Sequence, residues 1–508
     1  MNQKRSSGYQ FILTVIFSFL AVAINYGISF AITPYITENI GTDAYGFVSL
    51  AKIFANYGSI VTIALNSFAA RYIAIEYHKG NYKKANQYYS SVFYADVAVC
   101  TVLLVLFSIV IVFLDYFISI PKELIGDVKR LFLLDVINFL IISIGSVFMV
   151  TTTISNRLEL TGMIKSASYF LEAVFLVVAY TILPPKVYYV GIGLIVSSLF
   201  FASMHFLTTS RLTPVLKINR KDYSKPAVAD LVKAGIWNSV NSLGNLLNSG
   251  LDLLVSNVML SALQSGQLAI VKTVSLIYTT IMPLIAQPFQ PQQLKYYAME
   301  EKGKLIDSFK IAMKIDGMFS NIFMAGFVVF GSVFYKLWVP KEDVSLLFAI
   351  SVVTVIGVLT EGATYPLFYA YTLTVKNKIP CYVTLATGVL NVIGMIVLIE
   401  FFNAGLFAVV GTTTVILLLE HAIFTPIYSA YCLKIPKWTF YPVLIKHLLS
   451  AVLMVVAFMG IKSIIQPERW IGLILVAILC ALVGAVLHAI VVFDKSEWSI
   501  VRKKLKRN

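Results

Sequence analysis

Apolar runs of about twenty residues recur along the whole chain, and they constrain the fold more than any other sequence feature. A helix needs about 20 apolar residues to cross the hydrocarbon core of a membrane. Runs of this kind lie at 10–33, 46–68, 90–114, 131–153, 166–183, 188–208, 235–259, 268–289, 315–338, 345–369, 379–400, 404–428, 441–463 and 470–493. We therefore predict an all-α integral membrane protein with about fourteen transmembrane helices.

The composition excludes a water-soluble fold for these runs. Of the 508 residues, 58% are hydrophobic and only 13% are charged, whereas soluble domains have about 25% charged residues. The mean hydropathy is +0.83. A single water-soluble core stops growing near about 250–300 residues, so it cannot bury this much apolar surface. Lipid must be the solvent for most of the protein.

The lysines and arginines predict the orientation of the spans. When the segments between the predicted spans are assigned alternately to the two sides, 30 of the 40 cations fall on the side of the N-terminus and 8 on the other. Cytoplasmic loops are the ones enriched in Lys and Arg. We therefore predict a cell-membrane protein with both termini cytoplasmic. The first run, Tyr9–Thr33, is too long for a signal-peptide core and is expected to remain as the first span.

The longest polar connection divides the chain into two parts. We predict an N-terminal lobe at 1–208, a basic cytoplasmic linker at 209–234, a C-terminal lobe at 235–430, and two additional spans with a basic tail at 431–508. Transporters often contain structural repeats. An offset of 220 residues pairs several rare residues of the two parts: Lys52 with Lys272, Asn25 with Asn245, Ser29 with Ser249, Gly46 with Gly266, and Asp96 with Asp316.

The seventh predicted span carries a polar stripe. Asn238, Asn241, Asn245, Asn248 and Asp252 recur at spacings of three and four, which places them on one face of a helix. One interpretation is a water-filled cavity that this face lines. The alternative is that the amides join neighbouring helices by hydrogen bonds.

Lys52 and Lys272 lie inside the second and eighth predicted spans. A lysine near the end of a span can extend its ammonium to the membrane interface. The functional interpretation is that both lysines bind the phosphate of an anionic lipid head group, or that they pair with Asp252 at a similar depth. Lysine is a compact point charge suited to phosphate.

Several acidic side chains also fall within the spans. Glu172, Glu361 and Glu420 are candidates for coupling to protons or sodium, because a charge in the membrane usually faces a cavity or a partner. Each is equally explained as a packed, hydrogen-bonded or protonated side chain. Asp96 and Asp316 are expected near cytoplasmic helix starts, where they would interact favourably with the helix dipole.

Other function classes are excluded by what the sequence lacks. It contains no GxxxxGK[ST], HExxH or GxSxG motif, and its five histidines and four dispersed cysteines show no metal-ligand spacing. We therefore expect no enzymatic activity, no cofactor and no metal. The cations lie in short loops, so topology explains the net charge of +15 and no nucleic-acid partner is expected.

The segment around the first three spans resembles the bacterial polysaccharide-flippase family, of the O-antigen and teichoic-acid type. The shared features are an outer turn at Ala44–Gly46, the segment Ala70–Ala74 and a basic loop at Lys79–Lys84. NSGLDLLVSNVML in the seventh span is also similar, with Asp252 at the family's aspartate. The resemblance implies the multidrug/oligosaccharidyl-lipid/polysaccharide exporter superfamily, in which two six-helix lobes surround a central cavity and some branches add two C-terminal helices.

In the lipid-linked-sugar branches, cations on spans one, two and eight meet the pyrophosphate of the substrate. The resemblance therefore implies a substrate site containing Lys52 and Lys272, although span one has no cation between Phe11 and Thr33. With the polar residues of the repeat and the stripe, the predicted cavity set is Lys52, Lys272, Asp252, Asn25, Asn241, Asn245 and Asn248.

The function predicted first is a flippase for an undecaprenyl-pyrophosphate-linked oligosaccharide or a teichoic-acid-type precursor. Its expected partners are this lipid-linked glycan, membrane lipids at the basic tail Arg502–Asn508, and glycan polymerases and glycosyltransferases of the same pathway. A cation-coupled multidrug exporter of the same fold is the alternative, because that branch relies on cavity carboxylates such as Asp252 and Glu361. A membrane-embedded glycan polymerase is the third candidate, and the short outer loops argue against it.

Overall fold

The computed structural model describes residues 7–494, and every regular element in that range is a helix. The first part of the chain forms α1 (Ser7–Asn39), α2 (Thr42–Tyr57), α3 (Ser59–Asn66), α4 (Ala69–His78), α5 (Tyr82–Val112), α6 (Leu114–Phe117), α7 (Ile125–Ser146), α8 (Val150–Ile154), α9 (Leu158–Ile182), α10 (Tyr189–Leu212), α11 (Lys225–Ser249) and α12 (Asp252–Met259).

The second part contains longer helices that are broken at several points. It forms α13 (Ala262–Ala286), α14 (Gln290–Ala298), α15 (Lys302–Trp338), α16 (Val344–Gly357), α17 (Leu359–Thr364), α18 (Phe368–Leu373), α19 (Lys378–Phe402), α20 (Gly405–Leu419), α21 (Thr425–Leu433), α22 (Tyr441–Ile464) and α23 (Trp470–Val492). A π-helical segment, Glu420–Phe424, joins α20 to α21.

These helices confirm the predicted all-α membrane architecture. Twelve helical segments of the described residues are long and apolar enough to cross a membrane, and a bent pair, Thr42–Tyr57 with Ser59–His78, raises the number to thirteen. The seventh predicted span is helical as α11, but its many amides leave it outside that count. The tail Arg502–Asn508, predicted to contact anionic lipid, lies outside the described residues.

The helices form two compact units. Unit 1 contains the described residues up to Ala269 and the segment Cys381–Val389, and unit 2 contains Ile270–Pro380 and the described residues from Leu390 onward. The boundary between Ala269 and Ile270 therefore lies within α13. α11 groups with unit 1 because it packs against α3, where Gly235 allows a close approach: a Cβ there would lie 2.1 Å from the carbonyl oxygen of Ala64.

The linker is an ordered part of unit 1 that lies along α5. The side chain of Asn86 donates to the carbonyl of Val215 at 3.0 Å and accepts from the N–H of Lys217 at 2.9 Å. Two further backbone N–H groups donate to serine hydroxyls of α5, Asn219 to Ser90 at 3.0 Å and Ser224 to Ser91 at 2.9 Å. Side chains of one helix thus satisfy backbone groups that no regular element pairs.

Gly46 and Gly266, paired by the 220-residue offset, are in contact in unit 1. A Cβ on Gly46 would lie 2.8 Å from the backbone nitrogen of Gly266, and a Cβ on Gly266 would lie 2.1 Å from the carbonyl oxygen of Thr42. Contact between a residue and its counterpart is the arrangement expected near the axis that relates two structural repeats.

In unit 2, α22 and α23 pack against α15. Gly484 permits a close approach, since a Cβ there would lie 2.9 Å from the side chain of Ile322. Helices in lipid associate mainly through such tight van der Waals packing. The apolar part of the interface consists of Ala325, Val329, Phe330, Met454, Phe458, Val476 and Cys480.

Candidate substrate and coupling sites

Lys52 lies on α2 with an exposed side chain, close to two buried carboxylates of unit 1. Asp135 of α7 and Glu172 of α9 both interact electrostatically with its ammonium group. Neither carboxylate forms an ion pair with Lys52 within 4.0 Å, and Lys52 makes no hydrogen bond to another described residue. Its charge therefore lies next to acidic groups while remaining available to an anion.

Asp135 is a site residue that sequence analysis missed. Both of its carboxylate oxygens, and Oε2 of Glu172, are buried without a hydrogen-bond partner among the described residues. A buried carboxylate in such a position is stable only when it is neutral or lies beside a cation. The signal in the sequence is a lone aspartate inside the apolar run LFLLDVINFLII.

Asn25 lies half-buried on α1, which packs along α9. The adjacent Tyr26 interacts electrostatically with Tyr169 of α9, and Tyr169 interacts with Glu172. α1 thus borders the acidic group of unit 1. The structure records no contact between Asn25 and Lys52, so their predicted cooperation in one site is untested.

The polar stripe of α11 is partly accessible. Asn238 and Asn245 are exposed and Asn241 is half-buried. The N-cap of α11 is Ser224, whose hydroxyl accepts from the N–H of Ala227, and Pro226 lies in the first turn where no N–H is needed. An exposed row of amides on a helix in lipid requires water or polar ligands, because hydrocarbon offers no hydrogen bonds.

Asn248 differs from the rest of the stripe because it is buried against α19. Its side-chain amide donates to the carbonyl of Thr384 at 3.0 Å and to the hydroxyl of Thr387 at 3.2 Å. Gly244 permits this packing, since a Cβ there would lie 2.9 Å from the backbone nitrogen of Leu385. Asn248 therefore joins two helices, as in the alternative interpretation of the stripe.

Asp252 is buried in the first turn of α12. A negative charge is favoured at that end of a helix. Its carboxylate interacts electrostatically with Tyr57 at the end of α2, and its carbonyl accepts from the hydroxyl of Ser256 at 2.8 Å. Lys272 is half-buried on α13 and belongs to unit 2, whereas Asp252 belongs to unit 1. The predicted pairing of these two residues remains a prediction.

In unit 2, the structure brings together two of the predicted coupling residues. Glu361 lies on α17, which packs against the π-helical segment that carries Glu420, and the two carboxylates interact electrostatically. Short π-helical segments occur often at functional sites. Glu361 also interacts with Tyr278 and Tyr365, so acidic and phenolic groups converge where two broken helices meet.

The expected helix-dipole role of Asp96 and Asp316 is wrong. α5 begins at Tyr82 and α15 at Lys302, so each aspartate lies about four turns inside its helix, beyond the first turn where the dipole acts. Both side chains are fully buried. Asp96 accepts a hydrogen bond of 3.0 Å from Asn66, whereas Asp316 lacks a hydrogen-bond partner at both oxygens among the described residues.

A cavity of about 490 Å³ lies within unit 1 beside Asn66. Thr62, Ser67, Ser143 and Thr161 contribute hydroxyl groups to a mainly apolar wall. This volume is in the range of small-molecule sites. None of the predicted site residues lines it.

The fold described above occurs in solved membrane transporters. The lipid II flippase MurJ in its inward closed conformation matches with a TM-score of 0.67 over 94% of this chain and 99% of MurJ, at 15% sequence identity. An inward-facing multidrug resistance MATE transporter of the MOP superfamily matches with a TM-score of 0.63 over 82% of this chain and 99% of its own, at 14% identity. The chain therefore has the fold of the multidrug/oligosaccharidyl-lipid/polysaccharide exporter (MOP) superfamily, which confirms the expected resemblance at the level of fold.

Among individual sequences, the chain is similar to the uncharacterized membrane protein EpsK of Bacillus subtilis (strain 168). The two are 27% identical over 478 residues, which cover 94% of each chain. No family model matches the sequence.

Proposed function

We propose that this protein is a flippase that moves an undecaprenyl-pyrophosphate-linked oligosaccharide or a teichoic-acid-type precursor across the cytoplasmic membrane by alternating access. The observation that carries the proposal is Lys52, an exposed cation within a span, in a fold shared with a lipid II flippase. The named proteins with this fold are a flippase and a transporter, which agrees with a transport function.

In this proposal the head group is bound by complementary chemistry. Lys52 and Lys272 bind the pyrophosphate as point charges. Asn25, Asn241 and Asn245 offer amide donors and acceptors to sugar hydroxyls. Asn248 and Asp252 position α11 and α12 around the site, because both are buried in helix packing.

Coupling in unit 1 follows from the shared interactions of Lys52. In the empty protein, Asp135 and Glu172 stabilise the ammonium group. A bound pyrophosphate competes for the same charge, and the two buried carboxylates then require protons. Substrate binding and proton uptake at Glu172 are linked in this way.

Glu361 and Glu420 form the second coupling site. Two carboxylates that share one site do not both ionise easily, so the pair holds a proton or a small cation. Both residues lie on broken helices, so the proton or cation would bind where the helical backbone is irregular.

The orientation completes the proposal. The excess of Lys and Arg on the side of the N-terminus supports an orientation with both termini in the cytoplasm. The substrate would then arrive from cytoplasmic glycosyltransferases and leave to a polymerase on the outer side.

The second candidate is a cation-coupled multidrug exporter. It is favoured by the likeness to a multidrug resistance MATE transporter and by the carboxylate pair Glu361–Glu420. A glycan polymerase is less well supported, because the predicted outer loops are short.

The deciding experiment is reconstitution into vesicles with a fluorescent prenyl-pyrophosphate oligosaccharide. We expect Lys52→Ala to lower the initial rate of transbilayer movement about tenfold or more, since a charge-assisted hydrogen bond contributes about 1.5–3 kcal/mol. Lys122→Ala, which removes an exposed lysine outside the apolar runs, is the matched control and should transport at the wild-type rate.

Two results would reject the flippase. One is movement that is equally fast in wild type and Lys52→Ala when both are folded. The other is a wild-type protein that moves no lipid but expels cationic dyes, which would establish the multidrug exporter and remove the phosphate role of the lysines.

A further inference from the structure

The broken helix that carries Glu361 is held by two side chains from other helices of unit 2. At the break between α16 and α17, the carbonyl of Val358 accepts from the hydroxyl of Tyr278 at 2.9 Å. The next carbonyl, that of Leu359, accepts from Nε2 of His447 at 2.9 Å. Tyr278 comes from α13, and His447 comes from α22, one of the two C-terminal helices.

Both of these residues are themselves hydrogen-bonded to α15. The hydroxyl of Ser320 forms a 2.8 Å hydrogen bond with the hydroxyl of Tyr278. The amide of Asn321, the next residue, donates to the backbone carbonyl of His447 at 2.9 Å. Two adjacent residues of α15 are thus connected to two adjacent carbonyls at the break, one through α13 and the other through α22.

The imidazole of His447 can make its bond in only one way. A carbonyl only accepts, so Nε2 must carry the proton. Gly317 leaves room for the ring, because a Cβ at that position would lie 2.7 Å from Nδ1. His447 is 1% exposed, so water does not replace its contact with Leu359.

A second histidine fixes α23 to the same face of α15. Nε2 of His488 donates to the carbonyl of Lys314 at 2.9 Å, and its Nδ1 accepts from the hydroxyl of Ser450 at 3.0 Å. Asp494, after the end of α23, adds ion pairs to Lys314 at 3.1 Å and to Lys446 at 2.7 Å. The C-terminal helices are therefore bonded to α15 and to the break in one network.

We propose that the C-terminal helix pair, α22 and α23, controls the coupling site through His447, a positioning residue that fixes the helix break two residues before Glu361. His447 does not touch the coupling carboxylates. It sets their position by holding the carbonyl of Leu359, so a displacement of α22 moves Glu361. The proposal rests on the proposed function only in treating Glu361 as a coupling residue.

Several other groups that titrate or carry charge face this region, and the test must separate their effects. They are Tyr278 of α13, Asp316 and Lys314 of α15, Tyr365 after α17, Glu420 and His421 of the π-helical segment, Lys446 of α22, His488 of α23 and Asp494. A readout specific to the Glu361 carboxyl group is therefore needed.

The experiment is infrared spectroscopy of the full-length protein in nanodiscs over a pH series, without substrate. Glu361→Gln identifies the carboxyl band of Glu361. His447→Phe removes the hydrogen-bond donor. We expect it to move the pH midpoint of that band by about half a unit or more, and a shift of half a unit corresponds to ~0.7 kcal/mol. His447→Gln, whose amide reaches the same carbonyl, should restore the wild-type midpoint.

His205→Phe is the matched control. His205 is also fully buried, but it lies in unit 1 and neither ring nitrogen has a hydrogen-bond partner among the described residues. It should leave the midpoint unchanged. If His447→Phe does not fold, His447→Asn replaces it, because its amide is too short to reach Leu359.

An unchanged midpoint in a folded variant that lacks the donor would overturn the proposal. An equal shift in His205→Phe, or a Glu361 band that does not titrate, would overturn it as well. Because no lipid substrate is used, these outcomes are independent of whether the protein moves lipid-linked glycans.

Discussion

Gly362 lies where α17 crosses α15, and the crossing leaves no space for a side chain. A Cβ at this position would lie 2.2 Å from the hydroxyl oxygen of Ser320 and 2.3 Å from that of Tyr278. These two hydroxyls are bonded to each other and to the helix break before Glu361, so they cannot move aside without losing those bonds. The absence of a side chain at Gly362 thus allows α17, which carries Glu361, to pack closely against α15.

We predict that Gly362→Ala destabilises the protein by about 1–3 kcal/mol, because overpacking a tight core has that effect. The measurement is thermal unfolding in detergent, in which the variant should unfold at a lower temperature than wild type. Gly326→Ala is the control, since a Cβ there meets nothing within 4 Å. Equal unfolding temperatures for Gly362→Ala and Gly326→Ala would contradict the close approach.

At the scale of single elements, ion pairs attach the end of α23 to α15 and α22. Asp494 follows the helix and accepts hydrogen bonds from Lys446 and Lys314, which hold the pKa of its carboxyl group below the usual range. The side chain is 57% exposed, so water and salt screen the interaction. Lys314 itself is buried, which makes Asp494 the anion that neutralises a cation inside the helix packing.

This attachment predicts a pH dependence of stability. Because the folded-state pKa of Asp494 lies below the unfolded value of about 3.9, the stabilisation is present above that pH and is lost as the pH falls through the folded-state pKa. In thermal unfolding between neutral pH and about pH 3, Asp494→Asn should be less stable than wild type at neutral pH, and the difference should shrink in acid. Glu468→Gln, at the opposite end of α23, should follow wild type throughout. A difference that is constant with pH would refute the ion-pair role.

Hydropathy predicted the elements well only where lipid surrounds them. The run at 90–114 lies mostly in α5 and the run at 315–338 lies in α15, but both helices begin well before these runs, at Tyr82 and Lys302. Polar residues continue a helix beyond the membrane as easily as apolar ones, so hydropathy does not show where it starts. For this reason hydropathy predicts Asp96 and Asp316 near helix ends, whereas both lie several turns inside their helices.

The breaks inside the spans and the partners of the site residues could not be predicted. The breaks at Gly58 and Val358 and the π-helical segment depend on contacts with other helices, as the bond from Tyr278 to Val358 illustrates. The position of Glu172 in an apolar run marks it as a candidate, but its electrostatic interaction with Lys52 depends on how the helices of unit 1 pack. Sequence patterns indicate which residues are unusual, and tertiary packing determines which of them meet.

At the scale of the whole molecule, α11 decides the topology. If α11 crosses the membrane together with the other spans, the number of crossings is even and both termini share one side. If it does not, the termini lie on opposite sides. The distribution of lysines and arginines predicts the even number.

We therefore predict that a green fluorescent protein fused after Asn508 is fluorescent inside the cell, and that alkaline phosphatase fused there is inactive. A phosphatase fusion in the turn after Asn39, between α1 and α2, is the control and should be active on the outer side. An active phosphatase at the C-terminus would show that α11 does not cross and would require a new map of the loops.

The docking of residues 213–224 on α5 has a mechanical consequence. A connection of this length could have been slack, so that the helices at its two ends would move independently. Here the connection is hydrogen-bonded along its length to Asn86, Ser90 and Ser91 of α5, so it forms a rigid link between α10 and α11. We therefore expect a tilt of the start of α5 to be transmitted to the start of α11, so that the amide row of that helix turns with it.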